Sequence, residues 1–469
     1  MPWNKLDFLS SKNLRQPQLN LSIFLIFLSR IITFVAFPKA SLLPDSGSYA
    51  SEKFPDFSLV SFMGHAMRGW PTPLLFSLLP NNSLRILALL LISAFAWTYF
   101  ARTVLSISST SISKWLIFTL LISISCSPNL IQWDTSILGQ SLLNSNYVIV
   151  ASLLIRFMMK ETSSKIATIL FGFTLLLSLQ KSSNFFTLLV VFFIIIIKRS
   201  KLQKGWTRTC LGVFIILGTT YGAVVGVSVD NFWKGGTYSG KALLWHLGGQ
   251  SPAAPDFKNY LSERTNAPLC IYSNAPYSNI DTEMSKIFQS CIGAEFYLSR
   301  QIKKDFLDFL IANPKDVFKL ESIGFGAALT GSSSNYGSAV GILPQSLYQI
   351  TQGGVTPDFR FSKSQDQVQA FNILKTGEPI WITSPGILWV FSLFSIWIYR
   401  LKRGRIEDIE RTFITLTSLL ILQSAITFLI IPSEWVRSTA AYIPLLVLLS
   451  AIYVVIQFPN MRQIEKDLD

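Results

Sequence analysis

Ten separate apolar runs constrain what this chain can fold into. Most of them reach the roughly 17–25 residues that an α-helix needs to cross a bilayer. The runs cover residues 19–37, 84–101, 115–131, 139–158, 165–180, 184–197, 209–229, 384–400, 412–431 and 439–457. The fifth and sixth runs are short and meet at a polar stretch, so they predict either two helices with a tight turn or one broken helix.

The composition points to a membrane protein rather than a soluble one. Half of the residues are hydrophobic and 14% are charged, whereas soluble domains carry about 25% charged residues. The net charge of +14 comes from Lys and Arg that lie mainly between the apolar runs, where they set topology and contact anionic headgroups. No nucleic-acid partner is predicted. We expect an all-α polytopic membrane protein with about 10 transmembrane helices and a largely helical extracytoplasmic segment.

Basic residues are concentrated in alternate connections between the runs. This bias predicts that those connections and both termini are cytoplasmic, in what we expect to be a bacterial inner membrane. Residues 1–229 then form a transmembrane module of about seven helices, in which 38–83 are the first outer loop. Residues 230–383 form an extracytoplasmic helical segment, and residues 384–469 hold the C-terminal transmembrane helices.

The first outer loop contains a candidate catalytic carboxylate. Asp45 is the first acidic residue after the first apolar run, in the sequence Pro44-Asp45-Ser46-Gly47-Ser48-Tyr49. Pro and Gly favour a tight turn, and a stiff turn at the membrane surface would place this carboxylate beside a lipid-borne substrate. A solvated loop aspartate is the alternative interpretation, and so short a motif does not decide between the two.

Other outer connections also carry charged candidates. Asp134 follows Trp133 at the end of the third run, where it predicts either a helix N-cap or a catalytic carboxylate. Glu434 and Arg437 are spaced to share one helical face, either as a local ion pair or with Arg437 as a phosphate clamp. Lys181 lies in the polar stretch between the fifth and sixth runs.

The cysteines and histidines limit the remaining chemistry. Cys270 and Cys291 share one long outer segment, where an oxidising compartment would allow a disulfide, and two free buried thiols are the alternative. His65 and His246 are far apart and have no Cys or acidic residue at ligand spacing, which argues against a zinc site. The sequence contains no P-loop and no dinucleotide fingerprint, so ATP-driven transport is not predicted.

Four short motifs occur in the outer connections: Pro44-Asp45-Ser46-Gly47-Ser48-Tyr49, Arg68-Gly69-Trp70-Pro71-Thr72-Pro73, Trp133-Asp134-Thr135 and Glu434-Trp435-Val436-Arg437. In this arrangement they resemble the GT-C superfamily of integral-membrane glycosyltransferases, which use polyprenyl-phosphate sugars as donors. The resemblance extends over most of the chain in its architecture. It implies transfer of a sugar to an extracytoplasmic acceptor, which could be an envelope glycan, a lipid or a protein.

The resemblance also implies roles for the acidic candidates. Asp45 would be the base that takes the proton of the acceptor hydroxyl, in a direct displacement with inversion. Asp134 would orient the acceptor, or the two carboxylates would together hold a divalent metal ion. Many relatives carry paired acidic residues in the first loop, whereas Asp45 stands alone here, so metal dependence stays open.

The cationic candidates would serve the donor. Arg437 and Lys181 would neutralise the charge that builds on the leaving phosphate, a kind of electrostatic contribution that tends to be large. Tyr49, Glu434 and Arg68 would orient the substrates. The expected partners are therefore a polyprenyl-phosphate sugar, the lipid bilayer and the acceptor.

Three other functions stay open at this point. A transporter or flippase of lipid-linked sugars would need polar residues buried within the spans, and Arg30 in the first run is the main candidate. A glycan polymerase or ligase would use a similar substrate with a site on the same face. A non-enzymatic scaffold is the third alternative.

Overall fold

The structure is a computed structural model that describes residues 16–36, 71–108, 110–159, 163–181, 184–198, 243–248, 251–273, 290–330, 408–430 and 441–466, with a few isolated positions between them. Its helices are α1 (Pro17–Ala36), α2 (Pro71–Ser77), α3 (Asn82–Leu105), α4 (Ser111–Ser125), α5 (Pro128–Asp134), α6 (Gln140–Met159), α7 (Ser164–Gln180), α8 (Phe185–Ile197), α9 (Ala254–Arg264), α10 (Leu269–Tyr272), α11 (Ala294–Phe296), α12 (Ile302–Ala312), α13 (Pro314–Thr330), α14 (Asp408–Ile430) and α15 (Ile443–Lys466). A π-helical turn, Tyr297–Gln301, joins α11 to α12.

Eight of these helices coincide with predicted apolar runs: α1, α3, α4, α6, α7, α8, α14 and α15. Of these, α1, α3, α6 and α14 are long and apolar enough to cross a membrane, and the other four contain shorter apolar helices. The predicted runs 209–229 and 384–400 lie almost wholly outside the described residues. The described part of the chain is therefore all-helical with four candidate membrane spans, and the total of about ten stays a prediction.

Polar caps explain why several of these helices begin where they do. The Asn81 side chain accepts a hydrogen bond from the Leu84 N–H at 2.9 Å, at the start of α3. Thr110 caps α4 in the same way, by accepting from the Ser113 N–H at 3.1 Å. Such caps satisfy backbone donors that have no partner within the helix.

The polar stretch between the fifth and sixth runs is a turn between two helices. The Asn184 backbone N–H donates to the Lys181 carbonyl at 2.9 Å. The Asn184 side chain also donates to the Leu177 carbonyl at 3.0 Å, and thereby satisfies an acceptor in the last turn of α7. One asparagine thus closes the end of α7 just before α8 begins, so the alternative of one broken helix is wrong.

The apolar helices pack around one large hydrophobic core. Its fully buried side chains include Trp97, Phe100, Phe157, Phe413 and Tyr453. Residues from α1, α3, α4, α6, α7, α8, α14 and α15 all contribute to it. We call these eight helices the bundle.

Residues 243–330 contain a second core, centred on Phe257, Phe306 and Phe309. We call this part of the chain the outer segment, after its predicted position. A disulfide between Cys270 and Cys291 links α10 to the residues just before α11, with the two Cα atoms 5.9 Å apart. Of the two alternatives that the sequence left open for these cysteines, the structure therefore has the disulfide.

Helix α13 connects the two cores. Leu320 belongs to the core of the outer segment, whereas Phe325 packs against the core of the bundle. The Phe325 ring meets the Phe428 ring of α14 edge-on, with their centroids 4.9 Å apart. Gly324 allows this close approach, because a Cβ atom at this position would lie only 2.6 Å from Cγ of Phe428. Small residues are a common means of bringing two membrane-associated helices together.

We predict that Gly324→Ala destabilises the protein by about 1–3 kcal/mol, because the added methyl group would force Phe428 or the α13 backbone to shift. Gly326→Ala is the matched control. A Cβ atom at Gly326 meets no atom within 4 Å, and alanine has the higher helix propensity. Thermal unfolding of the purified variants in detergent would measure the effect. An equal unfolding temperature for both variants would contradict the packing described for α13.

Candidate functional site

Helix α6 begins with a cluster of polar residues inside the bundle. Ser141, Asn144, Ser145 and Asn146 are all buried in its first two turns. Polar groups buried in an apolar environment cost several kcal/mol unless they form hydrogen bonds. Three of these side chains reach neighbouring elements, and together they define one end of the bundle, which we call the polar end.

Ser141 connects α6 to a buried ion pair. Its hydroxyl donates to Oδ1 of Asp134, and Oδ2 of the same carboxylate lies 3.9 Å from Nε of Arg30 in α1. Asp134 is only 3% exposed and Arg30 only 2%. The guanidinium also donates to the Ser93 hydroxyl of α3 at 3.3 Å and to the Ser29 hydroxyl at 3.0 Å. The cluster therefore ties α1, α3 and the start of α6 to Asp134.

The local structure around Asp134 differs from the predicted helix N-cap. Asp134 is the last residue of α5, and α6 begins only at Gln140. Its carboxylate accepts from the Ser141 side chain rather than from backbone N–H groups at a helix start. The N-cap interpretation is therefore wrong.

The apolar side chains around Asp134 hold this connection inside the bundle. Ile131 of α5 and Ile137, which follows Asp134, are both buried in one apolar cluster with Phe76 of α2 and Leu89 of α3. The connection between α4 and α6 thus packs against α2 and α3. Asp134 lies between these two isoleucines, within ion-pair distance of Arg30.

The next contact of α6 reaches the start of α15. The Asn144 side chain donates to the Ala441 carbonyl at 2.8 Å. Next to it, the Tyr442 hydroxyl donates to the Thr427 hydroxyl of α14 at 2.6 Å. Residues 431–440, which lie outside the described part of the chain, connect these two helices. Their flanking residues are therefore fixed to each other and to α6.

A further pair of contacts reaches the turn between α7 and α8. The Asn146 side chain donates to Oε1 of Gln180 at 2.9 Å, and the Tyr147 hydroxyl donates to Oδ1 of Asn184 at 2.9 Å. Lys181 follows Gln180 directly as the C-cap of α7, and it is half-buried. A cation at this position interacts favourably with the negative end of the helix dipole. The contacts place Lys181 at the polar end.

A buried amide contact extends this network to α14. The Thr187 hydroxyl of α8 donates to Oε1 of Gln423 at 3.0 Å. Gln423 is fully buried, and within the described residues its Nε2 group has no hydrogen-bond partner. A buried amide donor without an acceptor is costly.

The predicted site residues have different outcomes. Asp134 and Lys181 lie at the polar end of the bundle, and the contacts of α6 bring their elements together. Five others lie outside the described residues: Asp45, Tyr49, Arg68, Glu434 and Arg437. Their roles stay predictions.

Arg30 is the residue whose role the sequence pointed to least clearly. The sequence presented it as a possible pathway residue of a transporter, whereas the structure pairs it with Asp134. A charged residue in an apolar run needs a buried partner of opposite charge. A search for such a partner among the acidic residues at the ends of the apolar runs would have predicted this pair.

Glu321 of α13 is a second carboxylate that the sequence did not single out. Both of its carboxylate oxygens are buried, and neither has a hydrogen-bond partner within the described part of the chain. Burial raises the pKa of Glu321 from 4.5 to about 7. It lies one helical turn from Gly324 and Phe325, which touch Phe428 near the end of α14. Glu321 therefore lies within one helical turn of the contact between α13 and α14.

The described residues provide no ready-made metal centre. No group of three or more His, Cys, Asp or Glu side chains among them is placed to hold a metal ion. Asp45, the partner that the sequence predicted for Asp134 in such a site, lies outside this part of the chain. The metal site formed by Asp45 and Asp134 therefore stays a prediction.

Comparisons with known protein families, with characterised proteins and with solved structures find no match to this chain. Its function must therefore be argued from its own residues. The most informative of them are the buried polar groups at the start of α6, because these connect elements that are distant in sequence.

We predict that breaking the Arg30–Asp134 pair from either side destabilises the protein by about 3–5 kcal/mol, because the remaining charge would be buried without compensation. Arg30→Met and Asp134→Leu should each lower the unfolding temperature. The double variant should recover most of the loss, since no buried charge remains in it. Detergent-solubilised protein and a thermal unfolding assay would measure these effects. Additive losses in the double variant would show that the two side chains are not coupled.

The raised pKa of Glu321 predicts that the stability of the protein depends on pH. Because its pKa is about 7 in the folded protein and near 4.5 when unfolded, the folded state binds the extra proton between these values. Stability should therefore fall as the pH rises from about 4.5 to about 7. Glu321→Gln should remove this contribution, so that the variant is more stable than the native protein at pH 8 and similar to it at low pH.

Glu263→Gln, at an exposed position of α9, is the matched control for Glu321→Gln. Unfolding temperatures at several pH values would separate the two variants. If both changed the pH dependence equally, the effect could not be assigned to the burial of Glu321.

Proposed function

We propose that this protein is a membrane glycosyltransferase that moves a sugar from a polyprenyl-phosphate donor to an extracytoplasmic acceptor at the polar end of the bundle. The observation that carries the proposal is the convergence at the start of α6. Asp134, the Lys181 turn and the flanks of residues 431–440 all meet there through hydrogen bonds. These are elements that the resemblance to GT-C enzymes assigns to one site.

The outer segment supports an extracytoplasmic position for this end. It contains the Cys270–Cys291 disulfide, and disulfides persist mainly in oxidising compartments such as the periplasm. Helix α13 of the same segment packs against Phe428, close to the hydrogen bond between Thr427 and Tyr442. The disulfide-bonded segment and the polar end therefore belong to the same side of the proposed membrane.

In the proposed reaction, Asp45 takes the proton of the acceptor hydroxyl. The acceptor oxygen then bonds to the anomeric carbon while the bond from that carbon to the phosphate oxygen breaks. Polyprenyl phosphate leaves with the electron pair of the broken bond, and the configuration of the sugar inverts. Lys181 and Arg437 would balance the negative charge on the leaving phosphate.

We assign Asp134 a positioning role in this reaction. Its carboxylate is buried, it is paired with Arg30, and it accepts from Ser141. A carboxylate in this environment holds the connection between α4 and α6 in place beside the polar end. This leaves Asp45, in the first outer loop, as the proposed base.

A flippase of lipid-linked sugars is the second candidate function. The observation that favours it is the buried polar network within the bundle, in which Thr187 contacts Gln423 and Asn146 contacts Gln180. Polar residues inside a membrane bundle often mark a substrate pathway. Arg30 adds less to this case than an unpaired cation would, because Asp134 compensates its charge.

We predict that Asp45→Asn lowers sugar transfer by about 10²–10⁴-fold, the usual contribution of a general base. The assay would use the full-length protein in proteoliposomes, a panel of polyprenyl-phosphate sugars, and an envelope fraction as the source of acceptor. Release of polyprenyl phosphate would be followed by mass spectrometry. Asp56→Asn, in the same loop, is the matched control and should retain activity.

A second measurement separates the two functions. Translocation of a fluorescent lipid-linked sugar across the same proteoliposomes would be followed in parallel. Translocation without release of polyprenyl phosphate would favour the flippase. Full transfer activity in Asp45→Asn, with normal protein yield, would remove Asp45 from the mechanism.

A further inference from the structure

One face of α13 combines exposed lysines and exposed apolar residues. Lys315, Phe318, Lys319, Ser322 and Ile323 are all exposed, and their spacing of three, four, seven and eight residues places them on one side of a helix. Phe318 is 75% exposed and Ile323 is 42% exposed. A solvated helix face is normally covered by polar residues, so these two side chains require an explanation.

Other positions of α13 fix where this surface lies. Leu320 packs into the core of the outer segment, whereas Phe325 packs into the core of the bundle against Phe428. Phe428 belongs to the last turns of α14, which is one of the four candidate membrane spans. Helix α13 therefore passes from the outer segment to the end of a membrane-length helix, which predicts that its exposed face lies near the membrane surface.

We propose that this face of α13 binds the membrane surface and contacts anionic phospholipid headgroups. Phe318 and Ile323 enter the boundary between headgroups and acyl chains, while Lys315 and Lys319 remain among the phosphates. This combination of lysines and large apolar side chains on one helix face is typical of helices that lie in the interface. Each lysine near an anionic surface adds a favourable electrostatic contribution.

The charge pattern of the same helix supports a lipid as the occupant. The acidic groups of α13 are buried: Asp316 has little exposed surface, and both carboxylate oxygens of Glu321 are buried. Lys319 also donates to the Pro252 carbonyl at 3.0 Å while remaining exposed, so its ammonium group is fixed on this surface. A basic and apolar face is thus exposed beside the end of the candidate span α14.

The test uses the full-length protein in nanodiscs, with Phe318→Cys carrying an environment-sensitive fluorophore. Cys126 and Cys210 are replaced by serine so that only the introduced thiol reacts. The nanodiscs contain a mixture of phosphatidylcholine and phosphatidylglycerol, with or without bromine on the acyl chains. Leu422→Cys is the positive control, because Leu422 is an exposed apolar residue of the candidate span α14.

We expect bromine to reduce the fluorescence at position 318 by an amount that approaches the loss at position 422. Adding phosphatidylglycerol to phosphatidylcholine nanodiscs should increase this loss, and Lys315→Gln should weaken that dependence. Emission typical of a fluorophore exposed to water at position 318 would overturn the proposal. A shielded fluorophore that bromine does not quench would also overturn it, because another part of this chain or a second copy would then cover the face.

Discussion

The pairing of buried polar groups at the start of α6 is the constraint on which the polar end depends. Neither the apolar core nor the lipid can replace a lost hydrogen bond, so partners inside the protein strongly stabilise these groups. Ser141, Asn144 and Asn146 point in different directions around one helix, and each bonds to a different element. The first two turns of α6 therefore fix the positions of three neighbouring elements. Apolar packing alone would allow these elements to slide along α6.

The charged part of this network has a different consequence from the neutral part. A lone Arg30 or a lone Asp134 would be expensive at this depth, whereas the pair carries no net charge. The connection between α4 and α6 therefore stays buried only while both residues are present. Asp134, for which the sequence left a catalytic role open, is thus one half of a buried ion pair that links α1 to the connection between α4 and α6.

The sequence predicted most of the described bundle, because the length of an apolar run is a local property. It did not settle the turn at Lys181, since Asn184 closes α7 through a side-chain contact that no hydropathy pattern records. The N-cap alternative for Asp134 is wrong because Asp134 ends α5 and α6 begins only at Gln140, with the buried Ile137 between them. The pairing of Arg30 with Asp134 depends on tertiary structure, since the two residues lie on elements that are distant along the chain.

Helix α13 relates the outer segment to the proposed site. It contributes Leu320 to one core and Phe325 to the other, and Gly324 leaves almost no space between α13 and Phe428. Such close packing fixes the position of the outer segment along the axis of the bundle. On the proposed function, a lipid-linked donor enters sideways from the bilayer, while the acceptor arrives from the aqueous side. A segment held at this boundary would constrain both substrates to meet near the start of α6, where the polar groups are already fixed by their hydrogen bonds.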